Sequence, residues 1–327
     1  MKKKVTVGVA AVAGRYRADR RPNVGVATEA VLLVTDRRLT SGDNSVYESW
    51  VPKIRGMIGT GRTARTTWSA LFAGDDSLID DIKADLVSDK QIEALHDDPQ
   101  PNLNEVADAV SAAAATAWNR LFDAYVYRPF GLTREDVRQG SKRLAKPLLD
   151  RVIAKGLWFD SDDNPEGCEL ALCGFDERGR SAVLSLNVKG DVTRHFDIGC
   201  VAIGEGAGTA QAALELLGYQ PWMDLGSVIY MAIDAKLSAE RVASVGPTTD
   251  AWVLLRHEDQ PIEIPQALIE QLTSVRAWHA TLSPFSARDR QSEPDGWRND
   301  LWAFVKKCYE KSAEATSSIE REPPSWL

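Results

Sequence analysis

Ala30-Val-Leu-Leu-Val-Thr35 is an unbroken apolar run that ends in the acidic-basic turn Asp36-Arg-Arg-Leu-Thr-Ser-Gly42, and Val51-Pro-Lys-Ile54 follows. Such a run, rich in β-branched residues and closed by turn residues, predicts a buried strand. Further strands are predicted over residues 5–12, 69–74, 169–175, 181–188, 192–196, 198–203 and 251–255. Pro22, Asn23 and Gly25 mark an enlarged hairpin loop over 14–29.

Helical periodicity fills the intervals. Leu78, Ile79, Ile82 and Leu86 share one side of a helix. Residues 101–121 carry the stripe Val106, Val110, Ala113, Ala117 and Leu121, with Asn102 as cap and Glu105 three residues on. A helical stretch over 133–155 is expected to bend or break at Pro147. Helices are also predicted at 209–217, 225–237 and 297–309, with 310–327 as a loose tail. The order is strands, two helices, strands, two helices, strand. Two antiparallel sheets, each with helices outside it, satisfy that order, because each sheet needs both faces covered. The expected class is therefore α+β, as a four-layer αββα sandwich. Residues 1–270 form the expected domain, with a helical insertion at about 87–167 and a C-terminal extension over 271–327.

Composition narrows the function classes. The 327 residues are 44% hydrophobic with a formal charge of −8, which fits a full core and gives no reason to expect nucleic acid as a partner. Cys168, Cys173, Cys200 and Cys308 lack CxxC spacing and read as reduced, buried thiols. The apolar run after Lys2–Lys4 is short, and no stretch approaches the roughly 20 residues of a membrane span. The expectation is a cytoplasmic protein. His96, His195, His257 and His279 are scattered, so neither a metal site nor a Ser-His-Asp triad is supported, and no cofactor is expected.

In order, the 35–42 turn, Pro52-Lys53-Ile54, Leu71-Phe-Ala-Gly74 and Ala202-Ile-Gly-Glu-Gly-Ala-Gly208 resemble a proteasome β-subunit, or the peptidase of its two-ring bacterial relative. These are N-terminal nucleophile hydrolases, and the resemblance covers most of residues 4–86 and 168–265. It implies that Asp36 orients Lys53, and that Lys53 lowers the proton affinity of a terminal threonine. The Gly-Ser-Gly turn of that family corresponds to Gly204-Glu205-Gly206, with glutamate in place of serine. Its Asp-x-x-Ser pair falls on Val242 and Val245, with Ser244 as the nearest hydroxyl.

If Gly8 matches the family glycine, the nucleophile position is Lys4, which lacks the hydroxyl that acyl transfer needs. Removal of residues 1–5 would expose Thr6 instead. Two residues of strand displace Thr6 from that position by about 6–7 Å, against a proton-transfer reach of roughly 3 Å. Asp36 and Lys53 thus read either as a catalytic pair or as a structural ion pair, and Glu205 either as a partner of Lys4 or Lys53 or as a solvated turn residue. The leading expectation is an assembly or interaction subunit without its nucleophile. The alternative is a threonine-type peptidase or amidase activated by trimming to Thr6. A third is an amide hydrolase using another residue of the cleft. The resemblance further implies a homo-oligomer, or a hetero-oligomer with a related subunit, acting on peptide or protein if active. The alanine face of 106–117 and the Trp297/Trp302 segment are the expected contact surfaces.

Overall fold

The computed structural model describes residues 7–14, 29–40, 46–48, 53–58, 68–74, 76–88, 102–140, 144–159, 168–176, 178–187, 189–256, 258, 261–281 and 296–321. The first half of the chain contains β1 (Gly8–Ala13), β2 (Ala30–Asp36), β3 (Arg38–Thr40), β4 (Val46–Glu48), β5 (Ile54–Ile58) and β6 (Trp68–Gly74), then α1 (Asp76–Ser88), α2 (Leu103–Phe122), α3 (Arg134–Gly140) and α4 (Lys146–Phe159). The second contains β7 (Cys168–Phe175), β8 (Ser181–Asn187), β9 (Val192–Arg194), β10 (Cys200–Ile203), α5 (Ala207–Leu216), α6 (Leu225–Ala239), β11 (Thr249–Leu255), β12 (Ile262–Glu263), α7 (Gln266–Thr281) and α8 (Trp297–Arg321).

The strands form two five-stranded antiparallel sheets and a small ribbon of β3 and β4. One sheet runs β10-β1-β2-β11-β12 and the other β5-β6-β7-β8-β9. The register of β1 and β2 pairs Gly8 with Thr35 and Ala13 with Ala30. The unbroken apolar character of β2 has a direct cause, because both of its faces are covered. Leu32 and Val34 point into a core shared with α5, α6, α7 and α8, while Val31 and Leu33 point toward Leu71, Ala171, Cys173 and Val183 of the other sheet. The outer face of that second sheet packs Phe72, Leu170, Leu172 and Leu184 against α1, α2 and α4. Each fully buried Leu or Val contributes roughly 1.5–3 kcal/mol by leaving water. The two interior faces therefore hold the sheets together.

Some expectations hold and others change. The break expected near Pro147 separates α3 from α4, with Pro147 at the second position of α4. There the missing N–H has no intrahelical partner to lose. Asn102 caps α2 by accepting from the Asn104 amide at 2.8 Å. The alanine face of α2 is not available for subunit contacts, because Ala107, Ala113, Ala114 and Ala117 are buried within the chain. The expected tail is helical, since α8 runs 25 residues to Arg321. Residue 270 lies inside α7, and Leu268, Ile269 and Leu272 join Leu301, Phe304 and Val305 in the same core as β1 and β2. The loop over 15–28 and the N-terminal residues 1–6 lie outside the described residues. Among the described residues, no helix is long and apolar enough to cross a membrane.

Candidate functional site

Asp36 ends β2, fully buried, and Lys53 immediately precedes β5 with 7% exposure. The Lys53 carbonyl accepts from the Phe72 amide at 3.2 Å, which ties its backbone to β6. Lys53 Nζ lies 2.8 Å from Asp36 Oδ1. The same oxygen accepts the Val7 amide at 3.4 Å, and Asp36 Oδ2 accepts the Gly246 amide at 2.8 Å. Three donors from three separate segments thus converge on one carboxylate. Ionised carboxylates need such donors when they leave water.

The neighbouring backbone fixes the start of β1. The Asp36 amide donates to the Val7 carbonyl at 3.3 Å, and Thr35 Oγ1 donates to that carbonyl at 3.0 Å. On the next residue, Arg37 clamps the buried carboxylate of Asp250 through Nε at 2.7 Å and through Nη2. Arg37 and Asp250 therefore hold the β2–β11 edge through a two-point guanidinium–carboxylate bond.

Gly204, Glu205 and Gly206 form the turn from β10 into α5. Gly204 adopts a left-handed φ of 87°, and its amide donates to Glu169 Oε2 at 2.7 Å. Gly206 is buried against the site: a Cβ there would stand 2.8 Å from Val245 Cγ2 and 3.0 Å from Val7 Cβ. Glu205 is exposed on the turn. Val245 is buried in the helix-side core, and Val242 packs against it. Ser244 Oγ is shielded from solvent without a hydrogen-bond partner, so it does not hydrogen-bond to Asp36 or Lys53. Lys4 and Thr6 lie outside the described residues.

The structure thus gathers Asp36, Lys53 and Gly206 around Val7. The Gly246 amide and Lys236, which the sequence reading missed, complete the group. Lys236 is fully buried on α6, with Nζ 2.6 Å from Glu240 Oε1 and 2.8 Å from the Gly246 carbonyl. One signal was available for it. Lys236 falls on the apolar stripe that includes Ile229, Ala232 and Ile233, where a lysine needs a partner.

Chemically, the arrangement presents an ammonium group held in place by a buried carboxylate, which also accepts the amide of Val7, the residue that follows Thr6 in the chain. Among the described residues, no group of three or more His, Cys, Asp and Glu side chains is placed to hold a metal ion.

No protein-family model and no curated protein sequence matches this chain. Solved structures do. Anbu (ancestral β-subunit) from Yersinia bercovieri is similar at a TM-score of 0.53 and 14% identity, over 86% of this chain and 99% of that one. Anbu from Hyphomicrobium sp. strain MC1 gives 0.51 and 14%, over 85% and 98%. A Gly-1 mutant of the Hyphomicrobium protein gives 0.52 and 14% over the same shares. The likeness is one of fold. It corrects the resemblance drawn from the motifs, because these neighbours are Anbu proteins, proteasome-like but distinct from the proteasome β-subunit and the two-ring peptidase. The physical reason is that these motifs mark strand ends of this α+β fold, Asp36 closing β2 and Gly204–Gly206 turning from β10 into α5. They report the sheet architecture and do not separate one family on that architecture from another.

Proposed function

We propose that this chain is a cytoplasmic, self-associating subunit on the ancestral β-subunit fold, arranged as a four-layer αββα sandwich. In the chain that carries residues 1–5, the Asp36–Lys53 pair is a structural tie and performs no peptide hydrolysis. The observation that carries this reading is the threefold engagement of Asp36 by Lys53, Val7 and Gly246. It is supported by the apolar packing of Val242 and Val245, the positions where the motif comparison places a carboxylate and a hydroxyl. Association, with a second copy or a related subunit, follows the description of the Anbu fold as a β-subunit. Light scattering at micromolar concentration, run beside a fluorogenic peptide assay and an intact mass, tests both halves. The expected result is an oligomer of unprocessed chains with no turnover. A strict monomer removes the assembly claim, and turnover by the unprocessed chain removes the inactivity claim.

One observation favours a second reading. Lys53 Nζ and the Val7 amide share a single carboxylate oxygen, which draws the ammonium toward the chain just after Thr6. Trimming to Thr6 would then supply a hydroxyl and an α-amine beside that cation, the components of a threonine-type peptidase or amidase. A chain released with Thr6 first, from a cleavable fusion, is expected under this reading to hydrolyse amide substrates. The activity should vanish in Thr6→Ala and survive in the Ser244→Ala variant.

A further inference from the structure

A lysine that loses all contact with water needs a strong local reason, because an uncompensated buried ammonium costs several kcal/mol. Lys236 meets that condition, and Glu240 and Gly246, which it contacts, show what it does. Glu240, one helical turn along α6, supplies the opposite charge at 2.6 Å. Lys236 Nζ also donates to the carbonyl of Gly246, at 2.8 Å. Gly246 is also the residue whose amide donates to Asp36 Oδ2.

A residue's amide and carbonyl belong to the two peptide groups on either side of its Cα. Holding both fixes φ and ψ, and so fixes the direction of the amide. For a glycine, which has no side chain to narrow those angles, outside support of this kind matters most. Asp36 holds Gly246 from one side and Lys236 holds it from the other. Two buried charges from two elements, β2 and α6, thus act through one residue of the turn that joins α6 to β11.

We propose that Lys236 is a positioning residue. By gripping the Gly246 carbonyl it aims the Gly246 amide at Asp36, which sets the carboxylate that in turn holds Lys53. This rests on the reading that the Asp36–Lys53 pair is the centre of the site, whether as a tie or as part of a trimmed hydrolase.

The test is native-state acylation of lysines, read by mass spectrometry at Lys53, together with the amide resonance of Gly246. In Lys236→Met, Lys53 is expected to acylate about tenfold faster than in the unaltered chain, the effect of losing one charge-supported hydrogen bond. The Gly246 amide should shift and exchange faster with solvent. Leu237→Ala is the control: it removes core packing from the same helix without touching Gly246, and is expected to leave both readouts in place. Unchanged Lys53 labelling in Lys236→Met, or equal acceleration in Leu237→Ala, overturns the proposal. Where Lys236→Met does not fold, Lys236→Gln keeps a donating nitrogen on a shorter stem. There the Gly246 resonance must move while those of β7 and β8 stay, and an unmoved resonance is equally fatal. Neither readout depends on turnover. Peptide hydrolysis by the unprocessed chain would undo the structural-tie reading and leave this result standing.

Discussion

Asp36 shows how far one carboxylate can organise a fold. Removing its cation by Lys53→Met takes the ammonium of this pair away from a buried carboxylate, and such losses cost about 3–5 kcal/mol. A urea titration of the variant is expected to show a lower midpoint, and Lys53→Met combined with Asp36→Asn should recover part of the loss. An unchanged midpoint in the single variant would mean that the pair contributes nothing to the fold. Both members were legible in the sequence through the family resemblance of the motifs that carry them, the 35–42 segment and Pro52-Lys53-Ile54. The Gly246 amide was not legible, since a backbone donor has no residue type. Lys236 was legible only as an anomaly on an apolar helix face, and its partners come from the turn beyond that helix. The assignment of Lys4 to the nucleophile position came from a glycine match in the motifs. Lys4 and Thr6 both lie outside the described residues, and among those described the Asp36 carboxylate accepts from the Val7 amide.

At the scale of the element, α8 is the clearest departure from expectation. Its first half carries Leu301, Phe304, Val305 and Cys308 into the core beside α6 and α7. Beyond residue 309 the sequence turns polar, which reads as a tail. Pairs such as Lys306 with Glu310, at 3.7 Å one turn apart, and Lys311 with Glu258 at 3.6 Å accompany the helix as it leaves the core. Surface pairs at this spacing support a helix by only a few tenths of a kcal/mol each, so no hydrophobic pattern announces them. The two faces of α8 predict opposite mutational outcomes. Phe304 is buried, and Phe304→Ala is expected to cost about 3–5 kcal/mol. Trp302, two residues away, is 64% exposed, and Trp302→Ala should stay within about 0.5 kcal/mol in the monomeric state. Thermal melts of the pair check this, and equal losses would mean that the helix is seated differently. The long interior strands were legible for the opposite reason. Runs such as Ala30-Val-Leu-Leu-Val34 are apolar on both faces because both faces are covered, whereas the two-residue strand β12 leaves too short a pattern to read.

For the whole molecule, the buried thiols give a pH dependence with a definite sign. Burial pushes Cys200 and Cys308 up to about 11, and Cys173 higher still. The unfolded chain releases these protons near the ordinary value of 9.0, while the folded chain keeps them. Their contribution to stability is therefore complete below about pH 9 and is lost as pH rises through the folded values. Urea midpoints measured from pH 8 to 11 are expected to fall most steeply between those limits. Cys200→Ala with Cys308→Ala should flatten that part of the curve, and an unaltered slope would assign the alkaline loss to other groups. Thiol reagents at pH 8 should likewise react slowly with the native protein and quickly once it unfolds.

The margins of the two sheets carry a consequence of their own. The interior strands β1, β2, β6, β7, β8 and β11 run six to eight residues. The bordering strands are shorter: β12 has two residues, β9 three, β10 four, and β5 five with an irregularity between Gly56 and Ile58. A sheet recruits a foreign strand through its open row of amides and carbonyls, and clipped or bulged borders leave little template to copy. The molecule is thereby guarded against extending its sheets into a neighbour and seeding fibrils. The described borders thus favour partners engaged through side chains on helices and loops, a contact that single surface substitutions can tune without disturbing the backbone pairing beneath.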